Sequence, residues 1–254
     1  MTLDSTKRFS NRVRNYSLYR PTYPTKVIDI LNEEIKFDTK KKVADIGSGT
    51  GILTKIFLDN RNFVYAVEPN HEMRSEAEKN LINYSNFHSV DGTAEKTNLA
   101  SKEVDFITVG QAFHWFKHDI TKLEFQRILK PSSYACLIWN SRAHKLSSFN
   151  YDYEEFIKKY SNDYNEVTHE NIYDEIFNSF FDLEGYKKFE LDNQQILDFK
   201  GLKGRTFSSS YMPNEDSEEA ENILEELKGL FEKYQEKNCV IMKYITEIFL
   251  GRLT

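Results

Sequence analysis

One short stretch limits the fold more than any other. VADIGSGTG, residues 43–51, runs an apolar segment through Asp45 into a turn with glycines at 47, 49 and 51. Behind it Ile52, Leu53, Ile56 and Phe57 recur at helical spacing. That order reads as buried strand, tight turn, helix. Glycine lets the chain turn sharply and lets a ligand approach the backbone. In an open parallel sheet such a turn lies at the carboxyl ends of the strands, where ligands bind. The helix start adds unpaired N–H groups and a partial positive charge. The stretch therefore predicts a nucleotide-type pocket in an α/β fold.

The pattern beyond it agrees. Strands are expected at 43–46, 63–67, 87–90, 104–109 and 134–139, alternating with helices at 51–58, from Asn70 as cap through Met73, Ala77 and Leu81, and at 120–130, the last stopped by Pro131. Alternation of this kind implies right-handed crossovers and a parallel sheet with helices on both faces. RPTYP, 20–24, forces extended geometry before its prolines, and Thr25 is positioned to cap a helix through Val27, Ile28, Ile30 and Leu31. After Asn140 the regularity breaks. Helical patches are expected at 153–160 and 172–181, a strand at 186–191, and a helix after Ser217. The tail CVIMKYITEIFL is β-branched and aromatic and reads as a strand, with a short amphipathic helix as the alternative. The expected division of this single domain is an N-terminal helical cap at 1–39, a cofactor-binding core at 40–141, a lid or substrate insertion at 142–204, and a helix and strand at 205–254 that complete the sheet.

Composition narrows the function. No run approaches the roughly 18 apolar residues of a membrane helix, and MTLDSTKRFSNRVRNY has no apolar signal region, so a soluble cytoplasmic protein is expected. Cys136 and Cys239 are too few and too far apart for a disulfide framework or a cysteine metal site. His114 and His118 stand four apart but lack a third ligand at suitable spacing, so no metal is expected. A net charge of −6 weighs against nucleic acid. The oligomeric state is not legible.

Three ligands compete for the glycine turn. A P-loop needs Gly-Lys-Ser/Thr, and no lysine is present. A dinucleotide fingerprint, Gly-x-Gly-x-x-Gly, fails because the third glycine comes one residue early. Asp45 would repel a pyrophosphate but suit a cationic ligand. An NAD-dependent oxidoreductase is thereby the weaker alternative.

These residues resemble motif I of the class I S-adenosylmethionine-dependent methyltransferases. VEPN (67–70) resembles the acid that ends the family's second strand, and DGTAEK (91–96) its adenine-side loop. QAFHWF (111–116), LKPSS (129–133), in which serines replace two glycines, and NYSLYRPTYP (15–24) are similar to the type 11 branch, which includes trans-aconitate methyltransferase. GLKGRTFSSSYMP (201–213) is similar more loosely. The resemblance covers most of residues 9–141. It implies a doubly wound, Rossmann-like, seven-stranded and mostly parallel sheet with its last strand antiparallel, and S-adenosylmethionine as cofactor. The implied activity is methyl transfer to a small-molecule acceptor, a carboxylate among those that fit. A non-enzymatic S-adenosylmethionine-binding module is the other alternative.

The resemblance also distributes roles. Gly47, Ser48, Gly49 and Gly51 would bring the backbone to the methionine and ribose, and Glu68 would accept from the ribose diol. Asp45 would either orient the loop or meet the ligand's ammonium. Pro69 and Met73 would pack on the adenine, although the spacing of Met73 is equally that of a helix core. Ala94 and Glu95 would edge the adenine, and Gln111 and Ala112 would face the methionine. Tyr16, Tyr19 and Arg20 would fold over the cofactor, Arg20 holding either its carboxylate or an acidic substrate. The plainer reading is a basic helix lying on an acidic body. Tyr16, His114, Trp115 and Asn140 are the candidate substrate contacts. His114 and Tyr16 are the weak candidates for a catalytic role, and His114 reads equally well as a structural histidine. A carboxylate acceptor needs no base.

Overall fold

The computed structural model describes residues 12–161 and 174–253. Its centre is a seven-stranded sheet in the order β3-β2-β1-β4-β5-β7-β6. The strands are β1 (Lys42–Ile46), β2 (Phe63–Val67), β3 (Phe87–Val90), β4 (Val104–Gly110), β5 (Leu129–Arg142), β6 (Tyr186–Leu197) and β7 (Val240–Arg252). The first five pair in parallel. β7 runs antiparallel to both β5 and β6, so the tail is the reversed strand. Strand order turns at β1, which lies between β2 and β4, and this switch point places a crevice at the carboxyl ends.

Both faces are covered, as near-continuous apolar strands require. On one face α2 (Lys26–Ile35) and α3 (Ile52–Asp59) bury Val27, Leu31, Leu53 and Phe57 against Val43, Val64, Phe106 and Ile138. On the other, α5 (His118–Ile128) and α7 (Asp174–Phe180) bury Phe125, Ile128, Phe177 and Phe180 against Ala44, Ile107, Leu137 and Trp139. A third cluster joins α6 (Ser148–Tyr160), α8 (Phe199–Phe207) and α9 (Ala220–Tyr234) over Leu197, Val240, Met242 and Tyr244. The fold is the Rossmann-like one anticipated.

Several local expectations need correction. The N-terminal prelude contains α1 (Val13–Tyr19), but Thr25 makes no side-chain cap on α2 because its own backbone is already helical. Asn70 does cap α4 (His71–Asn80), its side chain accepting from the Met73 N–H at 2.9 Å. α5 ends at Ile128, before Pro131, because β5 already begins at Leu129. Leu129 pairs with Val104 and Tyr134 with Phe106, so the residues between them loop out, and Ser132 takes a left-handed φ of 61°. Residues 142–204 are not wholly an insertion: β6 is a full strand of the sheet, longer than the 186–191 expected, and α6 packs on α9. The start of the helix expected at 172 lies outside the described residues.

Candidate cofactor site

The turn after β1 forms as the glycine spacing requires. Gly47, Gly49 and Gly51 have φ of 69°, 57° and 84°, whereas Ser48 stays out of that left-handed region. A Cβ at Gly47 would lie 2.7 Å from the Ala112 Cβ, and one at Gly51 2.6 Å from the Leu81 Cδ1. Those two glycines are fixed by protein packing. Gly49 is different: an added Cβ would meet nothing nearer than the Tyr16 ring at 3.9 Å, so the backbone there faces a cavity.

That cavity is lined by Tyr16, Gly47, Gly49, Glu68, Pro69, Met73, Ala94, Glu95, Gln111, Ala112 and Trp115, and also by Asn70, Thr93, Gly110 and Phe116. A second cleft shares Tyr16, Gly47, Gly110 and Gln111 with it and adds Asp45, Ser48, Arg20, Pro21, Tyr23, Ile52 and Leu53. Loops from four adjacent strands and the N-terminal segment thus converge at the switch point.

Glu68, the residue after β2, is held in a defined pose. One carboxylate oxygen accepts from the Gly49 N–H at 2.8 Å and the other from the Asn70 N–H at 2.9 Å. A carboxylate has about four lone-pair sites, so each oxygen keeps capacity for a further donor. Burial raises its pKa, opposed by those two amides and by Arg74. Asp45 is fully buried, with one oxygen accepting from the Thr54 hydroxyl at 2.6 Å and the other unpartnered. Burial pushes it up to about 7; the Thr54 bond opposes this and the charge of Glu68 adds to it. Arg20 donates to the Ser208 carbonyl at 3.0 Å and lies 4.8 Å from the Tyr16 ring centroid, while its buried Nε has no partner. Tyr23 also faces this cleft, its phenol held far above the usual range by burial. Gln111 takes a left-handed φ of 58° while its amide bonds the Asn140 carbonyl at 3.2 Å.

Other candidates do different work. Gly51 is not among the residues lining either cleft and serves the turn. Tyr19 packs its ring on Gly204 and gives its carbonyl to Gln195, outside both clefts. Asn140 is also outside them, binding Thr22, Thr246 and Asn193 and so tying the N-terminal segment to the sheet. His114 lies beside Trp115, ring centroids 4.8 Å apart, and does not line the cavity. His118 stacks on Phe113 rather than joining it. Glu95 holds the Lys117 N–H at 2.9 Å from the cavity's rim. Among the described residues no group of three or more His, Cys, Asp or Glu could hold a metal ion. Tyr23, Thr93 and Phe116 were missed from sequence; Phe116 closes the HWF unit, and Tyr23 stands inside RPTYP.

Fold and crevice together define a Rossmann-like architecture with a ligand cavity at its switch point. Residues 44–137 match the family model described as a methyltransferase domain, Methyltransf_11. An uncharacterized methyltransferase of Schizosaccharomyces pombe is 31% identical over 140 residues, covering 54% of this chain and 53% of its own. One from Mycobacterium tuberculosis is 33% identical over 143 residues, 56% of each. A malonyl-[acyl-carrier protein] O-methyltransferase of Neorickettsia risticii is 29% identical over 154 residues, 55% of this chain and 59% of its own. The chain spans about half the length of these relatives. Among solved structures, a protein assigned as a type II methyltransferase from Anaeromyxobacter dehalogenans superposes with a TM-score of 0.65 at 16% identity, covering 92% of this chain and 98% of its own.

The residues present fit S-adenosylmethionine, the cofactor that the resemblance implies. The unpartnered Asp45 oxygen suits an ammonium and the unpartnered Arg20 Nε a carboxylate. The open Gly49 backbone leaves room beside Glu68 for a sugar.

Proposed function

We propose that this chain transfers a methyl group from S-adenosylmethionine to a small-molecule acceptor. The observation that carries the reading is Glu68, its two oxygens clamped by backbone amides at the edge of a cavity formed by the glycine turn. In this reading Glu68 accepts from the ribose diol, and Pro69, Met73 and Ala94 take the adenine. Asp45 pairs with the ammonium, Arg20 with the carboxylate, and Gln111 and Ala112 flank the methionine chain. Ser48, Glu95 and Gly47 complete the wall. When bound, the cofactor supplies an electrophilic methyl group on a cationic sulfur. Tyr16, Trp115 and Phe116 give an aromatic enclosure that excludes water and favours a cation. The chain's task is then alignment of acceptor and methyl group. An ionised carboxylate acceptor needs no proton removed, which suits a cavity without an evident acid–base pair, and O-methylation also stands in the name of the Neorickettsia relative. No helix among the described residues is long and apolar enough to cross a membrane. Free thiols at Cys136 and Cys239 fit a reducing, cytoplasmic setting.

A screen of small metabolites for S-adenosylhomocysteine release tests this. Release with one acceptor class, lost in Glu68→Ala, is expected. Cofactor binding without release across the screen would instead indicate a binding module.

A further inference from the structure

Beyond Gln111, at the same end of the sheet, stands a second cluster of polar groups. Arg142 closes β5 and pairs in register with Tyr244 of β7. Arg205, on α8, is 2% exposed and donates to the Tyr244 hydroxyl at 3.1 Å and the Ser209 hydroxyl at 3.0 Å. Arg142 donates to the Tyr211 hydroxyl at 2.8 Å and to Glu154 at 3.0 Å. Arg20 is near enough for Arg205 to lower its proton affinity, in addition to the larger effect of burial. Arg142 has a carboxylate in Glu154, but neither Arg205 nor Arg20 makes an ion pair among the described residues. Both are held only by neutral groups.

Cations gathered in a poorly hydrated site are costly unless a counter-charge arrives. A guanidinium fork can hold a planar or tetrahedral oxyanion by parallel hydrogen bonds. Tyr211 reports the imbalance. Burial alone would raise its phenol, yet Arg142, Arg205 and Arg20 together outweigh that and bring it down to about 8. The place is also suitable. Gln111 of the cofactor cavity bonds the Asn140 carbonyl two residues before Arg142, and Arg20 belongs to both regions.

Resting on the methyltransferase reading, we propose that Arg205, Arg142 and Tyr211 form the anion subsite of the methyl acceptor, which therefore carries a carboxylate or phosphoryl group. The group bound there is a fixed negative handle that orients the acceptor toward the methyl donor.

Tyr211 makes the subsite measurable without turnover. Phenolate absorbance of the full chain is titrated with S-adenosylhomocysteine present, and the Tyr211→Phe difference assigns the signal. Succinate and inorganic phosphate are added separately, against sodium chloride of matched ionic strength. The expected result is a rise of about one unit in the Tyr211 pKa as a bound anion offsets the arginines. A response to succinate alone identifies a carboxylate acceptor, and one to phosphate alone a phosphoryl acceptor. Arg205→Gln should abolish the shift and weaken the responding anion about ten- to a hundredfold, with Arg205→Lys partly restoring it and cofactor affinity unchanged throughout. No shift with either anion in the wild-type protein overturns the proposal, whether or not the variants fold. Failure of S-adenosylhomocysteine to bind by calorimetry would overturn the methyltransferase reading instead.

Discussion

Asp45→Asn separates the stability of this fold from its function. Asp45 is fully buried, with one oxygen on Thr54 and the other unpartnered. Its pKa moves from 3.8 to about 7. The folded protein therefore holds this proton more tightly than the unfolded chain, and stability falls as pH rises through that interval. At 1.36 kcal/mol per unit, the cost of the ionised carboxylate grows by about 4 kcal/mol between pH 4 and pH 8. Asparagine is isosteric and keeps an acceptor for Thr54, but its amide would lack a partner, a constant cost of about 1–3 kcal/mol. The variant should thus be more stable than wild type by about 1–3 kcal/mol near pH 8 and less stable near pH 4. Denaturant unfolding across that range measures the difference, and the constant term cancels in its slope. The same variant should bind S-adenosylmethionine about ten- to a hundredfold more weakly, for want of a charged partner to the ammonium. A stability difference that does not change with pH would refute the charged, desolvated state assigned to Asp45.

Gly51→Ala should cost about 1–3 kcal/mol from backbone conformation alone, because φ is +84°, and the new Cβ, 2.6 Å from Leu81, would add to that cost; unchanged denaturation midpoints would contradict this. Arg20→Ala should weaken cofactor binding about tenfold or more, measured by calorimetry, and undiminished binding of both cofactor and acceptor would remove the N-terminal segment from the site. Asn140→Ala loses bonds to Thr22, Thr246 and Asn193 and should lower stability by about 1–3 kcal/mol while leaving cofactor affinity intact; the reverse pattern would restore Asn140 as a ligand contact.

The core was legible in the sequence because its signals are local. The strands expected at 63–67 and 87–90 are β2 and β3 with those bounds, and Asn70 caps its helix with the side chain that suggested it. The glycine turn was legible because only glycine tolerates both the φ values and the close approach of Ala112 and Leu81. What depends on long-range packing was not. β6 alternates exposed and half-buried positions at the sheet's edge, so its true length shows only through pairing with β7. Tyr19 is next to Arg20 in sequence, yet one faces Gly204 and the other the cleft. Asn140 and Arg142 lie at the end of the same strand, but their partners come from residues far along the chain. Arg205 had no local motif to mark it, because its neighbours come from β7 and the loop after α8.

The central claim is that the crevice beside β1 holds S-adenosylmethionine with Glu68 on its ribose. Calorimetric titration of the cofactor into wild type and Glu68→Ala tests it directly. Binding by wild type and an affinity about ten- to a hundredfold weaker in the folded variant is the predicted result. Equal affinities, or no binding to wild type, would contradict it.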